Sequence, residues 1–196
     1  MFDAKAFRSA LGSFVTGVTI VTVRGRDGRP AGLTANSFNS VSLDPPMVLF
    51  SLALKSASLP VFRKAESWAV HVLGADQQAM SDRFAASDVD RFAGLEPVDG
   101  PEGAPLIEGC AARFGCRAKF EYEGGDHAIF LGEVVDFHRR EVEPLIYHGG
   151  RYGRVMRAVD SSDLERQGLA ERGGNGLTLT ARGADLLEAL QAVAPI

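Results

Sequence analysis

The chain has 196 residues, 45% hydrophobic and 23% charged, a globular composition with length enough for one filled core and a small appendage. A formal net charge of -4 excludes a general attraction to nucleic acid or to acidic membranes. No apolar run approaches the ~20 residues that span a bilayer, and the opening stretch "MFDAKAFRSALGSF" lacks the basic-then-apolar layout of a signal peptide.

Phe2, Phe7, Leu11 and Phe14 recur at near-helical spacing and predict an amphipathic helix at the N-terminus. "GVTIVTV" (Gly17 to Val23) is rich in β-branched residues and predicts a strand, followed by hairpin punctuation with Asp27-Gly28 at the turn. The return strand is expected over Ala31 to Asn36. Beyond it lies "GLTANSFNSVSLDPP", crowded with small hydrogen-bonding side chains: Thr34, Asn36, Ser37, Asn39, Ser40 and Ser42. Such residues either cap their own turns or hold a polar ligand against the sheet. "DPP" (Asp44 to Pro46) predicts a turn, because proline fixes the backbone and offers no donor. "MVLFSLAL" (Met47 to Leu54) predicts a strand buried on both faces.

"SASLPVFRKAESW" predicts a short helix capped at Ser56 or Ser58, and "AVHVLG" (Ala69 to Gly74) another strand. "ADQQAMSDRFAA" predicts a helix starting near Ala75 or Asp76, and Ser87 to Gly109 an irregular connection. Three further strands are expected in "CAARFGCRAKFEYEG", "DHAIFLGEVVDFHRRE" and "PLIYHGGRYGRV". Many short strands with few intervening helices predict a closed barrel. Cys110 and Cys116 are the only cysteines, six apart, so one strand face can carry both. Two cysteines make no disulfide framework and no partner set for a metal, so buried thiols in a reducing cytoplasmic setting are expected.

Read together, "GVTIVTV", "GLTANSFNSVSLDPPMVLFSL", "GDHAIFLGEV" and "PLIYHGGRYG" resemble the short-chain flavin reductase family across residues 5–155. These are split-barrel FMN-binding proteins that supply reduced flavin to two-component monooxygenases. The resemblance implies a mainly β fold, a split β-barrel with flanking helices in residues 1–155, followed by a small α/β appendage in residues 156–196. It also implies FMN or FAD and NADH or NADPH as cofactors, a homodimer, and a partner monooxygenase.

The resemblance carries site residues as well. Thr34, Ala35, Asn36, Ser37 and Ser40 correspond to the segment that runs along the flavin. Ser51, Leu52 and Ala53 would line the ligand from the next strand. Lys55 would meet the flavin phosphate with Ser56 and Ser58 beside it; the alternative is a solvated loop lysine. Arg83 and Phe84 sit where the family contacts flavin, although Phe84 equally fits a core position. His127, in "GDH", is the expected catalytic residue, orienting the nicotinamide or the reduced flavin edge, against the alternative of a turn histidine bonded to backbone. His71 and His138 fall in strand patterns and are expected to be structural. Arg151 and Tyr152 would contact the dinucleotide through charge and stacking, unless Tyr152 closes the barrel.

From Ala158 onward, "DLERQGLAERGGNGLTLTARGADLLEAL" predicts helix, two-stranded wing and helix, with Asn175-Gly176 at the hairpin turn. It resembles the wing and last helix of a MarR-type winged helix, without the preceding groove-reading helices. Six acidic residues against three arginines in Ala158 to Ile196 argue against phosphate contacts, so DNA is not an expected partner. The leading expectation is an NAD(P)H:flavin oxidoreductase. The alternatives are a flavoredoxin-like electron carrier and a flavin- or ligand-responsive regulator.

Overall fold

Asp3 opens the first helix, α1 (Ala4–Leu11), its carboxylate accepting from the N–H groups of Lys5 and Ala6. The structure, a computed structural model, describes residues 3–155, 161–174 and 176–193. Phe2 therefore lies outside the described residues. The rest of the expected apolar face, Phe7, Leu11 and Phe14, is exposed, and α1 buries none of its residues.

The strands follow as β1 (Thr16–Gly17), β2 (Thr19–Arg24), β3 (Pro30–Ala35), β4 (Asn39–Leu43) and β5 (Pro46–Ala53). Next come α2 (Leu59–Phe62), β6 (Ser67–Val72), α3 (Gln78–Ala85), β7 (Val98–Asp99) and β8 (Pro105–Leu106). The long pair β9 (Ala112–Gly124) and β10 (His127–Arg139) precedes the small hairpin β11 (Ile146–His148) and β12 (Arg151–Gly153). Seven strands form one antiparallel sheet in the order β3-β2-β6-β9-β10-β5-β4.

That order dictates curvature. The edge strands β3 and β4 are consecutive in sequence and joined only by residues 36–38. Laid flat, seven strands ~4.8 Å apart would separate the edges by about 29 Å. The chain from Ala35 to Asn39 reaches about 15 Å at most. The sheet therefore curls until its edges approach, yet β3 and β4 share no ladder. The barrel is split along this seam rather than closed as the strand spacing predicts.

The polar stretch before Pro45 is thus an edge strand, β4, because its backbone finds a ladder on β5 from Asn39↔Leu49 to Leu43↔Pro46. Side-chain alternation corrects a second expectation. In β5 only Val48, Phe50 and Leu52 are buried, and the opposite face is partly exposed. Phe50 lies opposite Phe130 of β10, their rings stacked with centroids 5.2 Å apart, and meets Trp68 edge-on at 5.0 Å. Each such ring buried stabilises by about 1.5–3 kcal/mol. Gly132 is forced by this packing, since a Cβ there would lie 2.5 Å from Trp68 Cζ2.

The third expected strand is instead the β11–β12 hairpin, which joins β1 in a separate three-stranded sheet. Within the irregular connection, β7 and β8 pair. His71 is fully buried: its Nδ1 donates to the Ile20 carbonyl at 3.1 Å and its Nε2 accepts from the Ile107 N–H at 3.0 Å. Cys110 and Cys116 are free and buried, and burial pushes their thiols up to about 11 and about 12.

The chain divides into two compact units, Met1–Val155 and Met156–Ile196. In the second, α4 (Ser161–Arg166) is followed by the hairpin of β13 (Ala170–Gly173) and β14 (Gly176–Leu179), then α5 (Ala181–Val193). Thr180 caps α5, its Oγ1 accepting from the Gly183 N–H at 3.2 Å while donating to the Gly168 carbonyl. Asn175, expected at the hairpin turn, lies outside the described residues, and Gly176 adopts φ +115.

Candidate functional site

Beside the seam lies a cavity of about 1020 Å³. This is the upper end of the ~300–1,000 Å³ usual for small-molecule clefts. Register explains its floor. His127 lies opposite Ala53 and Ile129 opposite Ser51, so strand alternation puts all four on the face turned away from the Phe50–Phe130 core. The end of β3 and the seam add Leu33 to Ser37, the loop after β5 adds Lys55 to Ser58, and α3 adds Phe84 and Ala85.

Twelve expected residues are brought together here: Thr34, Ala35, Asn36, Ser37, Ser51, Leu52, Ala53, Lys55, Ser56, Ser58, Phe84 and His127. They do not contribute alike. Leu52 and Phe84 are core side chains, 5% and 0% exposed, that only border the cavity. Thr34 Oγ1 donates to the Ser81 carbonyl at 2.7 Å. Ser37 Oγ accepts from the Ser51 N–H at 2.9 Å and donates to the Ser51 carbonyl at 3.0 Å. Ser37 thereby continues the β4–β5 ladder with a side chain on the β4 side of the seam. These two hydroxyls fasten the wall and are not held out to a ligand.

Four expected residues lie elsewhere. Ser40 sits on β4 opposite Val48, because β4 runs away from the Ser51–Ala53 end of β5. Arg83 is about 100° around the helix from Phe84, and its Nη1 donates to the Ala93 carbonyl at 2.9 Å. Arg151 is exposed on β12 opposite His148. Tyr152 lines a smaller adjoining pocket of about 220 Å³ that shares Thr34, Ala35, Asn36 and Ala85 with the main cavity.

The structure adds residues that the sequence did not single out. Arg91 lines the cavity while its guanidinium donates to the carbonyls of Gly32 and Ala86, both at 2.8 Å. It follows Asp90 and precedes Phe92 in a stretch with no periodicity to mark it. Ala57, Ala85, Ser87, Asp88, Gly124 and Ile129 complete the lining.

At one end of the cavity His127 Nδ1 is 2.6 Å from Asp126 Oδ1. The hydrogen bond from His127 holds the exposed Asp126 carboxyl below its usual range, with Lys55 adding to the effect. Lys55 itself stands with the hydroxyl-bearing Ser56 and Ser58, and among the described residues it forms no ion pair. Small residues (Ala35, Ala53, Ala57, Ala85, Gly124) make much of the remaining wall. A long flat ligand with an anionic end fits this donor set: small side chains admit a ring close to backbone polar groups, and Lys55 with its serines suits a phosphate. Among the described residues no three His, Cys, Asp or Glu side chains group as a metal site, and no helix is long and apolar enough to cross a membrane.

Fold and cavity together define a split-barrel protein with a cleft for a flat, phosphorylated ligand. The flavin reductase like domain family matches residues 11–156, and the chain belongs to that family. The FMN reductase (NADH) SmoA of Agrobacterium fabrum is 46% identical over 155 residues, 79% of this chain and 88% of that protein. The reductase subunit HsaB of a flavin-dependent monooxygenase from Rhodococcus jostii is 38% identical over 151 residues, 76% of this chain and 77% of that one. Among solved structures, the Streptomyces globisporus NADH:FAD oxidoreductase SgcE6, in complex with NAD and FAD fragments, superposes with a TM-score of 0.75. It is 41% identical, over 82% of this chain and 99% of that one.

Proposed function

We propose that the protein is an NAD(P)H-dependent flavin reductase that takes up FMN or FAD and releases it reduced to a separate monooxygenase. The observation that carries this reading is one cavity combining a small-residue wall, a lysine-and-serine end and the His127–Asp126 pair. The redox chemistry belongs to the cofactors, hydride passing from reduced nicotinamide to the flavin ring. The chain's share is binding and orientation. Lys55, Ser56 and Ser58 hold the phosphate. Asn36 and the backbone around Ala35 and Ala53 orient the polar edge of the ring. Asp126 accepts the His127 Nδ1 proton, which fixes the imidazole and leaves Nε2 as its second polar atom for the nicotinamide.

The test is purified protein with NADH and free FMN, followed by loss of nicotinamide absorbance. Sustained turnover is expected. A tightly held yellow cofactor without turnover would instead make the protein an electron carrier. His127→Ala should slow anaerobic bleaching of the flavin between a few-fold and about a hundredfold, the range for losing one hydrogen bond to a neutral or a charged group. His127→Asn should recover part of the rate. An unchanged rate in the Ala variant would leave His127 as a turn residue.

A homodimer is part of this proposal. The amphipathic α1 leaves Phe7 55%, Leu11 60% and Phe14 76% exposed, an apolar face that a second copy would cover. Sedimentation as a 20.9 kDa species would reject it. Residues 156–196 act as a docking or regulatory appendage, their acidic balance opposing DNA contact, and a gel shift at physiological salt should show no DNA binding. Two free cysteines agree with a cytoplasmic setting, which cell fractionation would check.

A further inference from the structure

Tyr152 comes from a hairpin outside the main sheet, yet its hydroxyl reaches α3 twice. It donates to Asp82 Oδ1 at 2.9 Å and bonds Ser81 Oγ at 2.9 Å. Ser81 is fully buried, and its carbonyl accepts from Thr34 Oγ1 at 2.7 Å. One continuous path therefore runs from β12 through α3 to the end of β3. The ring is also braced edge-on by Tyr147, with centroids 5.4 Å apart. At the C-terminal cap of α3, Arg91 joins the carbonyls of Ala86 and Gly32. The helix is thus tied to β3 at its middle and at its C-terminal end, and both elements line the cavity, with Phe84 and Ala85 on one side and Leu33 to Asn36 on the other.

We infer that Tyr152 is a positioning residue whose hydroxyl, acting through Ser81 and Asp82, sets α3 against β3 and so fixes the Thr34–Asn36 wall of the cleft. It does this without itself lining the main cavity. Burial keeps the phenol above its ordinary pKa, so the proton that Asp82 accepts stays in place at working pH. Thr34 is the far end of the same device. Because both hydroxyls act on Ser81 and α3, removing one slackens what the other holds.

The inference rests on the flavin reductase reading and is tested with the full chain, NADH and FMN. Tyr152→Phe keeps the ring and removes the hydroxyl. It should lower kcat roughly two- to a hundredfold, the range spanned by a neutral hydrogen bond and one to a carboxylate, with KM for NADH within about twofold of wild type. The absorption band of bound flavin should move toward that of free flavin. Thr34→Val should reproduce both changes, and Thr34→Ser, which keeps a donor, should recover most of the loss. The double variant Tyr152→Phe/Thr34→Val should be no slower than the slower single variant. A raised KM for NADH with kcat unchanged would make Tyr152 a dinucleotide contact and overturn the inference, as would fully additive losses. Should Tyr152→Phe not fold, the Thr34→Val and Thr34→Ser pair decides on the same readouts. Wild-type protein that binds flavin but cannot oxidise NADH would overturn the proposed activity instead, and the flavin spectrum of the variants would still test the network.

Discussion

The two polar sides of the cleft look alike in sequence and behave differently in the fold. On the β3 side, Thr34 and Ser37 have their hydroxyls bonded to the Ser81 and Ser51 backbone. On the β5 side, Lys55, Ser56 and Ser58 line the cavity at the start of a four-residue helix; Ser56 Oγ accepts from the Ser58 N–H at 3.3 Å and keeps its own proton to donate, and Ser58 makes no side-chain cap bond. A serine-rich stretch can therefore be a fastening or a binding surface, and residue type does not distinguish them. The distinction is one of hydrogen-bond partners: donors already satisfied inside the protein confer stability, and those left facing the cavity confer affinity.

Substitutions can break or sharpen this contrast. The largest effect is expected at the most completely engaged polar group, His71. Desolvation lowers its pKa from 6.5 to about 4, so the folded protein holds it neutral where the unfolded chain would protonate it. The stability it contributes is complete above pH 6.5 and is lost as pH falls toward 4, a change of about 3 kcal/mol. Urea unfolding at pH 7.5 and 4.5 should show this loss, and His71→Gln should remove that part of the pH dependence. If the slope persists in the variant, other groups carry it.

Lys55→Ala probes the open side. FMN affinity should fall by about 1.5–3 kcal/mol, roughly 10- to 100-fold, while riboflavin, which lacks the phosphate, should lose far less. Fluorescence titration of both flavins measures this, and equal losses would remove Lys55 from the phosphate. Melting temperature should hardly move, as an open residue requires.

Ser37→Ala is the converse and the smallest. It leaves the N–H and carbonyl of Ser51 without their partner beside a cavity that water can enter, costing about 1 kcal/mol of stability. Thermal unfolding should register that cost. A large loss of flavin affinity with no change in stability would place Ser37 on the open side after all.

Much of the barrel was legible because strand periodicity is local. "GVTIVTV", "AVHV" and "HAIFLGEV" announce β2, β6 and the start of β10 through β-branched content and alternation. β4 was not legible, since "NSVSL" carries a turn-like composition and becomes a strand only because β5 offers it a ladder. The site divides in the same way. Lys55 and His127 stood out through the family motifs that contain them, whereas Arg91 did not, because its place at the cavity depends on the distant Gly32 carbonyl. Arg83 beside Phe84 was misleading for the opposite reason: adjacent helical residues point about 100° apart.

By itself the sequence determined most of the strand segments, the turn at Asp44–Pro45, the buried character of Phe50, and the motif order that the family shares, whereas Trp68, expected in a helix, lies in β6. Each depends on the preferences of neighbouring residues. Tertiary structure alone decided where the barrel splits, that Ser37 extends the β4–β5 ladder, and that Tyr152 braces α3 from another sheet. The Ser37 bonds depend on the register of β4 against β5, and the Tyr152 bond joins residues 71 positions apart on a hairpin and a helix that no local preference relates.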